Sequence, residues 1–183
     1  LEARKVLCEE LTQTLYAVAD DVKFQIEFNP AKVFAWRQIG YENRALEDRD
    51  FEDDKKDAGE VGAGASVTVL YELVPADGSG TESGLKYQTS RLTEAGESGE
   101  WLTLSTRYKQ PGGSESILET TVVDESALTD TPSGDFLFAG AVAEFGMILN
   151  DSEYKGDADY QSVLDLLKHA GLSDDYREEF FSL

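Results

Sequence analysis

The sequence predicts an α+β protein, an antiparallel β-sandwich followed by a C-terminal helical subdomain. Three observations carry this. From Asp21 to about Asp130, short apolar–polar alternating runs are separated by Gly, Pro, Asn and Asp, with no helical pattern interleaved, as antiparallel sheets require. After residue 131 the apolar spacing changes to that of helices. Across the 183 residues, 40% are hydrophobic and 29% charged, a globular composition.

The elements follow in order. "LEARKVLCEEL" repeats apolar residues at helical spacing and predicts a helix, and "TLYAVA" after it predicts a short strand. The single cysteine, Cys8, falls on that helix as a packing residue, so neither a disulfide nor a Cys-based zinc cluster is available. At Asp21 the period becomes two. In "DVKFQIEF", Val22, Phe24, Ile26 and Phe28 are expected on the buried face, with Lys23, Gln25 and Glu27 on the other, and Asn29-Pro30 stops the strand. "KVFAWRQIGYENR" predicts a second strand with Phe34 and Trp36 on one side. The β-branched run "ASVTVLYELV" predicts a third. "LKYQTS", "EWLTLSTRYKQ" and "SESILETTVV" predict three more, with "PADGSGTESG", "EAGESG" and "PGG" as loops.

In the last third, "GDFLFAGAVAEFGMILN" places Phe138, Ala141, Val142, Phe145 and Leu149 at helical spacing, and is apolar nearly all round. Phe138, Val142, Phe145 and Leu149 are expected to bury it against the rest of the module. "DADYQSVLDLLKHAG" carries a stripe of Tyr160, Val163, Leu164 and Leu167 and ends at Gly171. "DDYREEFF" predicts a last helix capped by Ser173.

The formal net charge is −21, from 16 Lys and Arg against 37 Asp and Glu. Such a surface repels phosphate backbones and anionic lipid, which argues against nucleic-acid and polybasic membrane roles. It favours solubility, cationic partners or divalent ions, and is compatible with a salty environment. No run approaches the roughly 18 apolar residues that span a bilayer, so direct membrane insertion is not expected. The chain opens inside a helix without Met, and is expected to be a piece of something longer.

Several stretches invite a site reading and fail it. Gly59, Gly62 and Gly64 precede a β-branched run, not the helix that a phosphate loop needs, and read as a strand entrance. Asp48, Asp50, Asp53, Asp54 and Asp57 lack the glycine and final glutamate of an EF-hand loop, leaving a solvated charge run or a loose divalent site. "DGSGT", Asp77 to Thr81, resembles the D-x-S-x-S cluster of von Willebrand factor A domains, but no helix follows it. His169, the single histidine, sits in a last helical turn, where the dipole favours it. No G-x-S-x-G elbow is present, and among so many acids no carboxylate pair stands out. Trp36, Tyr41 and Trp101 offer either sheet packing or a sugar-stacking surface. The residues therefore assign no catalytic, cofactor or metal position.

Taken together, "DVKFQIEFNPAKVFAWRQIGYENR", "DFEDDKKDAGEVGAGASVTVLYELVP" and "GDFLFAGAVAEFGMILNDSEYKG" resemble the C-terminal region of bacterial YfbK-type von Willebrand factor A domain-containing proteins. The chain departs from the usual pattern at Gln38 and at Ala65, where a His is common. The resemblance implies that residues 1–20 are the trailing helix and strand of a truncated A domain, 21–130 the β-sandwich module and 131–183 the helical subdomain. It implies a missing A domain upstream, carrying the metal cluster, often behind a lipoprotein-type export signal. The function expected is a non-catalytic scaffold or protein-interaction module of the cell envelope, extracytoplasmic, with no cofactor and no nucleic acid. A homodimer contact through the N-terminal segment is a further expectation. The alternatives are a carbohydrate-binding module and a carboxylate-pair hydrolase.

Overall fold

A computed structural model describes residues 11, 15–41, 48–53, 58–76 and 92–183. These fold as a mixed α+β protein with antiparallel sheets. Two compact units are distinguishable: one holds 2–67 and 71–128, the other 129–183 with 68–70. No helix among the described residues is long and apolar enough to cross a membrane.

In the first unit, strand β1 (Ala17–Phe28) is the spine. It pairs antiparallel with β3 (Gly59–Gly62) on one side and β5 (Glu100–Lys109) on the other, and β6 (Ser116–Asp124) completes the order β3-β1-β5-β6. β2 (Val33–Ile39) and β4 (Leu70–Pro75) form a separate two-stranded sheet. The β5–β6 hairpin turns at Gly112 (φ +70°), where Gly113 N–H donates to the Gln110 carbonyl at 2.7 Å.

β1 joins two runs that the sequence separates at residue 20/21. The change of phase there is a β-bulge inside one strand. Pairing with β5 slips between Asp20 and Lys23, and Asp21 adopts φ +52°, a conformation that Asp tolerates better than most residues. Lys23, expected on the open face, is 3% exposed, and Phe24 is 53% exposed. The cause is α1 (Asp48–Glu52), a single helical turn lying against β1. Phe51 of α1 is buried, and the Lys23 ammonium donates to the carbonyls of Asp50 at 3.2 Å and Asp53 at 2.5 Å. Carbonyls at a helix C-terminus have no partner within the helix, so a buried amine satisfies both sides.

Other boundaries shift as well. The third predicted strand starts at Leu70 rather than Ala65, because 65–69 make no ladder. Gly59 and Gly62 are themselves strand residues, and Gly64 turns the chain at φ +79°. "LKYQTS", "DGSGT", Cys8, Asp54 and Asp57 lie outside the described residues, as does the predicted N-terminal helix except Leu11, which is helical; Leu15, in the predicted strand "TLYAVA", is helical too, and the strand starts at Ala17.

The second unit contains α2 (Gly134–Leu149), α3 (Tyr160–Ala170) and α4 (Asp175–Phe181). Its core is Ala141, Val163 and Leu167, with Phe138, Phe145, Ile148, Leu166, Phe180 and Phe181 packed around them. Val142 and Leu149, expected inside, are 41% and 61% exposed. Phe180 packs edge-on against Phe138 and Phe145, at centroid distances of 5.7 and 5.4 Å. Asp159 and Ser162 form a reciprocal capping box on α3. Asp174, not Ser173, caps α4, accepting from the backbone N–H groups of Tyr176 and Arg177 at 3.0 Å each. Arg177 ties α4 to α2 through Asp135 and lies 4.7 Å over the Phe138 ring.

Candidate functional site

The end of β1 gathers the features that most resemble a binding surface. The strand stops at Asn29-Pro30 because proline cannot extend the ladder. Asn29 is then buried and takes over the corner. Its Nδ2 donates to the Glu100 and Gly96 carbonyls at 2.7 and 3.1 Å, and its Oδ1 accepts from Ala31 N–H at 3.0 Å. Its own backbone N–H donates to Trp101, and its carbonyl accepts from Lys32 and Val33. One side chain therefore pins the β1–β2 turn to the segment entering β5.

Against this corner lies a pocket of about 230 Å³, partly open to solvent. Glu27, Phe28, Pro30, Leu92, Glu100 and Thr103 are among its lining residues. Beside it the Phe28 ring meets β2 and β4, with Trp36 at 5.1 Å and Tyr71 at 5.6 Å. Tyr71 hydroxyl donates to Gln38 Oε1 at 3.0 Å, and burial pushes the Tyr71 phenol up from its usual range. Trp36 nonetheless remains 56% exposed and Phe34, two residues earlier on the same strand face, 67%. An anchored aromatic ring that stays in solvent suits stacking on a partner.

The other positions singled out in the sequence fall elsewhere. Tyr41 is exposed at φ +62°. Trp101 is half-buried, and its indole N–H has no acceptor among the described residues. His169 is exposed, its Nδ1 2.6 Å from the Asp165 carbonyl oxygen. Asp50 and Asp53 turn backbone carbonyls toward the Lys23 ammonium, so a protein cation already occupies that spot. Among the described residues, no three His, Cys, Asp or Glu side chains gather as metal ligands do. Asp21, Asp124, Asp151, Asp165 and Asp174 are all held below the usual carboxylate range. Their hydrogen bonds are the first cause in each case. A general acid at neutral pH needs the opposite displacement.

Sequence reasoning missed Lys23 and Asn29. Periodicity assigns a lysine to solvent, and only the phase break at Asp20-Asp21 could have warned otherwise. Asn29 reads as a stop signal in sequence, and its bonding partners lie 67 and 71 residues away.

Residues 13–183 match a protein-family model described as "Uncharacterized protein YfbK, C-terminal". The chain is 40% identical over 185 residues to the "Uncharacterized protein YfbK" of Escherichia coli (strain K12). That alignment covers 100% of this chain and 32% of the relative. No solved structure matches.

Proposed function

This chain belongs to the YfbK C-terminal family, and on that premise we propose that it is a non-catalytic protein-interaction module of a larger cell-envelope protein. The larger context is supported by the share of the relative it spans, 32%. The A domain upstream and the extracytoplasmic location rest on the resemblance of its motifs. In this reading the four- and two-stranded sheets are the layers of a sandwich, followed along the chain by the helical unit as a C-terminal subdomain.

The observation that carries the proposal is the exposure of Trp36, held by Phe28 and Tyr71 and extended by Phe34. Surface rings of this kind are enriched in the centres of protein interfaces, where Trp and Tyr supply much of the energy. The test is a photoreactive phenylalanine at position 34 of the full-length parent in its own cells. One predominant protein adduct is expected, and Trp36→Ala abolishes it. No adduct, or one indifferent to Trp36→Ala, sinks the reading.

The same exposure favours a second reading, a carbohydrate-binding module. It expects oligosaccharides to change tryptophan fluorescence, and the change to vanish in Trp36→Ala. That result would replace the protein-interaction reading.

A further inference from the structure

We propose that the pocket at the Asn29 corner receives the guanidinium or ammonium side chain of an Arg or Lys on the partner. This rests on the interaction reading above and specifies its chemistry.

Size is the first argument. At about 230 Å³ the pocket is below the roughly 300–1,000 Å³ of cavities that enclose drug-sized ligands, and suits one long side chain. The lining is the second. Phe28, Pro30, Leu92 and Leu102 are apolar members of the lining, suited to an alkyl stem, and Glu27, Glu100, Thr93 and Thr103 are its polar ones. The amide that might serve a sugar or an anion is already committed. Both hydrogens of Asn29 Nδ2 go to the Glu100 and Gly96 carbonyls, and its Oδ1 accepts from Ala31 N–H. The lining residues include two acids, Glu27 and Glu100, and no Lys, Arg or His. A ligand that brings donors and positive charge satisfies them, whereas an anion is repelled. The net charge of −21 draws such a partner in from a distance.

The test titrates butylguanidinium into isotopically labelled chain at low salt, following amide shifts. Saturable shifts are expected at 27–29, 93–96 and 100–103. Affinity should fall at least about tenfold in the Glu27→Gln/Glu100→Gln variant, since the negative charge that favours the cation is removed. Its melting temperature should not fall. A Glu153→Gln/Asp157→Asn variant, with the same charge change in the helical unit, should bind as the parent does.

Shifts spread over the surface, or weakened equally in both variants, overturn the proposal, and so does displacement of the probe by an oligosaccharide. Loss of probe binding with the position-34 adduct intact overturns the pocket alone. A specific probe response with no Trp36-dependent adduct overturns the assignment to a partner protein.

Discussion

Asp21 shows how much one side chain can settle. It takes a left-handed backbone angle in the middle of β1 and uses its carboxylate to hold the bulge. Oδ2 accepts from Lys109 Nζ at 2.7 Å and Oδ1 from Ala58 N–H at 3.2 Å. The Lys109 hydrogen bond, then that of Ala58, depresses its pKa. An acid whose folded pKa lies below its unfolded value of about 3.9 contributes stability above that value and loses it as pH falls through the folded pKa. Asp21→Asn keeps the tolerated backbone angle and an oxygen for Ala58 but removes the charge. The variant is expected to be less stable than the parent at pH 7, with the gap closing below about pH 4. Urea titrations across pH, read by tryptophan fluorescence, check this; a gap independent of pH would deny Asp21 its ionic role. Gly134 is a second such position. A Cβ there would stand 2.5 Å from the Ala170 carbonyl oxygen, and a backbone atom cannot rotate away. Gly134→Ala should therefore cost about 1–3 kcal/mol although alanine is the better helix former. Unchanged helical unfolding by circular dichroism would show that α2 and α3 are not so closely apposed.

At the scale of elements, α2 states the limit of reading a helix from its sequence. The packed stripe is Phe138, Ala141, Phe145 and Ile148, rotated from the expected one that included Val142 and Leu149. A helix apolar nearly all round offers several stripes of correct spacing, and only its partners choose among them. α3 is polar on one face, and there Val163 and Leu167 are buried as its sequence indicates. Phe145→Ala should thus cost about 2–4 kcal/mol, because its ring meets Phe180 and Tyr160. Leu149→Ala should stay within about 0.5 kcal/mol of the parent. Equal losses in the two variants would refute the stripe. The same limit governs β1. The β content and the stop at Asn29-Pro30 were legible, since alternation and proline are local signals. That Lys23 is covered was not, because it depends on α1, which binds from 27 to 30 residues away. The candidate site was half legible. Trp36 was in view as an aromatic, but the pocket needs Leu92 to Gly96 and Glu100 to come back to Asn29, which no local pattern encodes.

For the molecule as a whole, charge is the property most open to measurement. A net charge of −21 sets carboxylates against one another when the chain is compact, and unfolding lets them separate. Opposing this are ion pairs such as Lys109–Asp21 and Lys168–Asp165. Pairs of that kind contribute little each and weaken with salt. The two effects predict opposite responses. Raising salt from about 0.01 to 0.3 M shortens the screening length from about 30 Å to less than 8 Å, which removes long-range repulsion while leaving close contacts partly intact. Since like charges far outnumber the pairs available to offset them, repulsion should dominate and salt should stabilise. Relief of about 2 kcal/mol raises the melting temperature by roughly 4–8 °C for a chain of this length. Both tryptophans, Trp36 and Trp101, lie in the β unit. Their fluorescence therefore follows that unit, and far-ultraviolet circular dichroism at 222 nm weights the helical one. A rise in melting temperature with NaCl but not with sorbitol at equal osmolality is expected by both signals. A fall would mean that the acidic surface is organised around its few cations, with pairs such as Lys109–Asp21 outweighing the excess charge.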